Sequence, residues 1–83
     1  MKSIKTESYR KMIKWIISQR LLSGFTQLEL SEALSKPQSY ISKIETLDRR
    51  IDIIETIDIC NLLNVDVKEL IDIIKDDKCK QKK

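Results

Sequence analysis

Gln38, Ser39, Ser42 and Lys43 put four hydrogen-bonding side chains within six residues. On a helix advancing about 100° per residue, Ile41 and Ile44 define the buried direction and Ser39, Ser42 and Lys43 the opposite one. Gln38, Tyr40 and Glu45 fall on the flanks. Such a face suits the reading of base edges. Glutamine can bond adenine N6 and N7 together, lysine can donate to guanine or to phosphate, and serine bonds permissively. Any solvated helix can look like this, so the meaning of the face depends on what holds it in place. The chemistry of bond breaking is poorly represented. The chain has no histidine, which excludes histidine-dependent triads and zinc sites. It shows no nucleophile–base pair and no glycine-rich phosphate loop, and its single glycine, Gly24, sits at a predicted helix end. The expectation is a protein without catalytic residues, cofactor or metal.

The residues just before the polar face form a unit that could position it. Thr26 followed by Glu29 is a capping box and predicts a helix over 26–34. Leu30, Ala33 and Leu34 give it one buried face, and Ser31 is small enough for a second helix to cross closely. Ser35-Lys36-Pro37 breaks the chain, because proline disfavours a helical residue before it but fits a first helical turn. The next helix is then expected over 37–46, giving two short helices across a turn, the geometry that docks in the major groove of DNA. Tyr9, Met12, Ile13, Ile16, Ile17 and Leu21 form an apolar stripe that predicts an earlier helix over 8–22, ended by Ser23-Gly24, with Phe25 plugging the gap beyond. Asp52/Glu55 and Asp66/Glu69 read as two further capping boxes, opening helices over 52–63 and 66–75. The fold class is all-α, a five-helix bundle occupying residues 1–75, followed by a basic tail, 76–83, expected to be disordered.

With Arg20, Gly24-Phe25-Thr26-Gln27, Leu30, Pro37-Gln-Ser-Tyr-Ile-Ser-Lys-Ile-Glu45 and Asn64-Val65-Asp66 on the page, the chain resembles the Cro/phage-repressor (Xre) family over roughly residues 9–74. The resemblance implies a five-helix fold with a helix-turn-helix at helices two and three, binding double-stranded operator DNA as a symmetric dimer. It implies a recognition helix over 37–46, from which Gln38, Ser39, Ser42 and Lys43 are the candidates to meet bases. It also implies a phosphate contact from Gln27, and basic residues at Arg49 and Arg50 that meet the backbone or the minor groove, with phosphate contact expected for both. Tyr40 is a further phosphate candidate, through its hydroxyl, with its ring packed on Pro37 and Ile44. Arg20 and Glu45 match a pair that forms an ion pair in the family. The chain departs from the family where glycine is usual, having Ser35 at the turn, Leu47 after the third helix and Asn64 after the fourth. A left-handed leucine costs about 1 kcal/mol or more, so the third helix is expected to end by another route.

Eighty-three residues make one small domain, and the net charge of +3 says little about partners. Its distribution says more. Residues 1–50 carry +5, residues 51–74 carry −5 and residues 75–83 carry +3. A basic half holding the helix-turn-helix and an acidic half behind it fit a DNA-facing module. Thirteen of the twenty-three residues over 52–74 are apolar, more than one small core absorbs. A homodimer through the fifth helix is therefore expected, using Val67, Leu70, Ile71 and Ile74 with help from the end of the fourth helix. Cys60 reads as a core residue and Cys79 as an incidental exposed thiol. No apolar run is long enough to span a bilayer. These readings converge on a cytoplasmic, nucleoid-associated regulator, bacterial or phage-encoded, most simply a repressor. The alternatives are a restriction-modification controller and an antitoxin-type protein that also binds a protein partner.

Overall fold

A computed structural model describes the backbone of residues 6–81 and the side chains through residue 76. Among the described residues there are five helices: α1 (Glu7–Ser23), α2 (Gln27–Ala33), α3 (Tyr40–Glu45), α4 (Ile53–Leu63) and α5 (Val67–Gln81). The helix starts follow from the sequence. Thr26 Oγ1 accepts from the Glu29 N–H at 3.0 Å while Glu29 Oε1 accepts from the Thr26 N–H at 3.0 Å. Asp52 and Glu55 repeat this reciprocal box at the start of α4. Asp66 caps α5 differently, its carboxylate accepting from the Lys68 N–H at 3.0 Å. Thr6 caps α1 by accepting from the Tyr9 N–H.

The helices enclose one core in which Ile16, Leu30, Ile41, Ile44 and Ile59 are fully buried. α1 packs against α3, α4 and α5, and α2 packs chiefly against α3. Phe25 and Trp15 lie half-buried against the core, whereas Leu21, expected on the buried stripe of α1, is 63% exposed.

α3 is shorter than expected, because Pro37, Gln38 and Ser39 form a turn in front of it. The cause is a pair of hydrogen bonds. The Tyr40 N–H donates to the Pro37 carbonyl at 2.9 Å, closing a tight turn, and the Ile41 N–H donates across the helix pair to Ser31 Oγ at 3.1 Å. Ser31 is fully buried, so it both allows the close crossing and supplies the acceptor that ties α3 to α2.

The helix ends share one device. After α1, α2, α3 and α4 stand Gly24, Ser35, Leu47 and Asn64, all left-handed, with φ of 81°, 59°, 68° and 60°. In each case the following N–H returns to a carbonyl five residues back: Phe25 to Arg20, Lys36 to Ser31, Asp48 to Lys43 and Val65 to Cys60. This is the Schellman arrangement. The expectation that Leu47 would avoid it is corrected. Leu47 adopts the strained conformation, and its side chain packs against the core, which offsets the cost.

α5 also differs from expectation. It continues to Gln81, six residues past its expected end, across positions read as a disordered tail. No glycine or proline interrupts 66–81, and lysine and glutamine are good helix formers. Residues 82–83, and the reading of Cys79 as an exposed thiol, lie outside what is described.

Candidate nucleic-acid interface

The interface is built outward from a buried ion pair. Arg20, near the end of α1, donates from Nε to Glu45 Oε2 at 2.6 Å and from Nη2 to Glu45 Oε1 at 3.0 Å. Its Nη1 donates to the Phe25 carbonyl at 2.9 Å. Gln27 Nε2, at the start of α2, donates to Glu45 Oε1 at 2.7 Å. One carboxylate at the end of α3 thus collects α1, the α1–α2 junction and α2. The two charged side chains are only 10% and 6% exposed, so this is a two-point, desolvated contact that fixes orientation as well as distance.

The expected Arg20–Glu45 pair is present, and the expected role of Gln27 is altered. Its amide is tied to Glu45 rather than extended into solvent, although it stays at the surface end of α2, half-buried. Gln27 is first a brace for α3.

On the far side of α3 from Ile41 and Ile44, Lys43 is exposed and Ser42 half-buried. Gln38 and Ser39, expected within the helix, sit on the turn leading into it, and both are exposed. A shallow depression lined by Lys36, Pro37, Ser39, Tyr40, Lys43 and Arg49 opens beside them. Lys36 was not singled out from the sequence; a cation immediately before the turn-forming proline was the available signal.

Tyr40 requires a correction. It is 6% exposed and belongs to the core, not the flank. Burial, followed by the Glu55 carboxylate on α4, pushes its pKa from 10.0 up to about 12. The side chain is packed into the protein and not laid out along the surface. The ring carries two cations, Lys36 Nζ at 5.3 Å and Arg49 Cζ at 4.9 Å from its centroid.

Arg49 is also already engaged. Its Nη1 donates to Glu55 Oε1 at 3.2 Å and to the Arg50 carbonyl at 3.1 Å, and its Nη2 lies 3.1 Å from Glu55 Oε2. The Arg49 bond leads the effects on Glu55 and lowers its pKa below 4.5. In the described conformation Arg49 is bonded to Glu55 while its side chain stays 41% exposed, and Arg50 is exposed as well. The Tyr40–Glu55–Arg49 cluster joins residues up to 15 apart through the tertiary fold, and no local spacing announces it.

The expected dimer residues divide as well. Leu70 is 4% exposed, part of this chain's own interior, and so is not available to a partner. Val67 and Ile74 are half-buried and Ile71 is exposed. Together with Tyr9, Met12, Ile51 and Ile53 they line an apolar depression between α1, α5 and the start of α4. The apolar surplus of α4 lies at its start, where Ile53, Ile54 and Ile57 are exposed, and not at its end, where Leu63 is buried. Cys60 is buried, and burial raises its thiol pKa, so it is no reactive nucleophile. Among the described residues, no group of side chains could hold a metal ion, and no helix is long and apolar enough to cross a membrane.

A comparison with curated proteins returns no match. A family model described as helix-turn-helix matches residues 16–70, which take in α2, α3 and α4 with the second half of α1 and the first turn of α5. A braced pair of short helices presenting a polar face, over a stretch covering more than half of the chain, identifies this protein as a member of the Cro/phage-repressor type of helix-turn-helix DNA-binding regulators.

Proposed function

We propose that the protein is a transcriptional repressor that binds a palindromic operator as a homodimer, with α3 and its leading turn in the major groove. The observation that carries this reading is the clamp on Glu45, where Arg20 and Gln27 lock the end of α3 while its opposite side stays open to solvent. A recognition element must be rigid relative to its scaffold, because contacts to base edges are directional. Gln38 is the leading candidate for reading an adenine, with Ser39 and Ser42 as permissive contacts and Lys43 donating to guanine or phosphate. Arg50 and Lys36 are proposed to grip the sugar-phosphate backbone, and Gln27 to reach a phosphate with whatever hydrogen-bonding capacity Glu45 leaves open. Such a regulator acts where DNA is, in the cytoplasm and on the nucleoid.

Dimerisation is proposed through α5 and the start of α4, with Val67, Ile71 and Ile74 in contact. A second reading has a specific observation behind it. Ile53, Ile54 and Ile57 are exposed within the segment that carries −5, and this acidic, apolar surface also suits a protein partner with a basic face, as an antitoxin-type regulator would need. Co-purification of a second, basic protein would favour that reading.

Selection of bound fragments from random duplex DNA tests the main proposal. It is expected to return an inverted repeat whose half-sites lie about one helical turn apart. Enriched sequences lacking two-fold symmetry would overturn the dimeric operator.

A further inference from the structure

We propose that Glu55 is a positioning residue which holds the Arg49 Nη groups away from DNA phosphates and so lowers the sequence-independent part of DNA affinity. The proposal rests on the DNA-binding reading and concerns how tightly DNA of any sequence is held.

A guanidinium offers five N–H donors. In Arg49, Nη1 is fully used by the Arg50 carbonyl and Glu55 Oε1, Nη2 is paired with Glu55 Oε2, and one face of the group lies on the Tyr40 ring. Glu55 is equally occupied. It receives Arg49 twice and the Asp52 N–H, and its side chain is only 16% exposed. The carboxylate is therefore fixed in place and does not follow Arg49 outward.

Arg49 lines two neighbouring depressions. One contains Lys36, Ser39 and Lys43; the other contains Arg50, Asp52 and Glu55. It stands on the ridge between a cationic hollow beside α3 and the carboxylate that neutralises it. A phosphate taking Arg49 in full must break charge-assisted bonds to Glu55. Every duplex offers phosphates, so releasing Arg49 would strengthen binding to all sequences alike. Holding it leaves base contacts unchanged and weakens binding to operator and random duplex by the same factor.

Glu55→Gln is the informative substitution, because glutamine can still close the capping box with Asp52 while losing the charge that holds Arg49. Binding of a random-sequence duplex is measured across salt concentrations for the native protein, Glu55→Gln, Arg49→Ala and the double variant. One added phosphate contact steepens the log–log salt slope by about 0.9, or about three- to fourfold more loss of affinity between 50 and 200 mM salt. That steepening is expected for Glu55→Gln in the native background, and a much smaller one where Arg49 is already alanine.

Equal changes in the two backgrounds would reveal only a general charge effect and overturn the proposal, as would no change at all. In the native protein, the NMR signals of the Arg49 Nη1–H and Nη2–H groups are expected to stay in place when random duplex is added. A large shift overturns the proposal without recourse to any variant. A native protein that binds no duplex overturns the DNA-binding reading itself, and this proposal with it.

Discussion

Two guanidinium bonds and one amide bond converge on Glu45 from α1 and α2 and tie the end of α3 to both. Replacing Arg20 or Glu45 by alanine strands a charge in a site almost closed to water, and is expected to cost about 3–5 kcal/mol of stability. Chemical denaturation checks this, and a loss well below 1 kcal/mol would show the pair to be incidental. Glu55 and Tyr40 make stability depend on pH in opposite directions. The Glu55 carboxyl is held below 4.5 by Arg49. Its contribution is therefore complete above that value and lost as pH falls through the lower folded value. Tyr40 is raised from 10.0 to about 12 by burial and the nearby Glu55 carboxylate, so its contribution is complete below pH 10.0 and fades as pH rises toward about 12. Glu55→Gln is expected to flatten the acid limb of the stability curve and Tyr40→Phe the alkaline limb, both measurable by thermal unfolding across pH. The Arg20–Glu45 pair was legible in the sequence because both residues match family positions. The burial of Tyr40 was not, because helical periodicity gives a direction around an axis and says nothing of which neighbouring helix fills that direction.

The ends of α1 to α4 were placed at least as well as their starts, but the mechanism of the starts was the more legible. A capping box is a local exchange of two hydrogen bonds, so Thr26/Glu29 and Asp52/Glu55 announce themselves within four residues. Stops depend on a left-handed residue that only glycine favours strongly, and three of the four here are not glycine. Ser35 and Leu47 therefore carried no local signal. The turn before α3 was missed for a related reason, since its geometry is set by Ser31, ten residues away from Ile41. Ser35 is exposed and pays the left-handed cost with no packing in return. Ser35→Gly is expected to stabilise the protein by about 1 kcal/mol, raising Tm by roughly 4–8 °C for a domain of this size. An unchanged or lower Tm would show that Ser35 has an undetected compensating contact. Leu47→Gly sets relief of strain against loss of core packing and is a poorer test.

For the whole molecule, the charge asymmetry and the apolar surplus of the second half were both visible in the sequence, and the structure locates the surplus. It lies on the start of α4 and the outer side of α5, with Leu70 withdrawn into the core. If this face joins two copies, Ile71→Glu is expected to convert a native dimer into a folded monomer in analytical ultracentrifugation at micromolar concentrations. A native protein that is already monomeric would move the face toward a different partner. Titration of native protein and Gln38→Ala with operator-containing and randomised duplexes at low ionic strength tests the exposed side of α3 most directly. The native protein is predicted to bind both, the operator more tightly, and Gln38→Ala to lose about 1–3 kcal/mol on the operator while relaxing preference at one base pair per half-site. No complex with any duplex, or identical affinities for the two proteins on every sequence, would contradict the account.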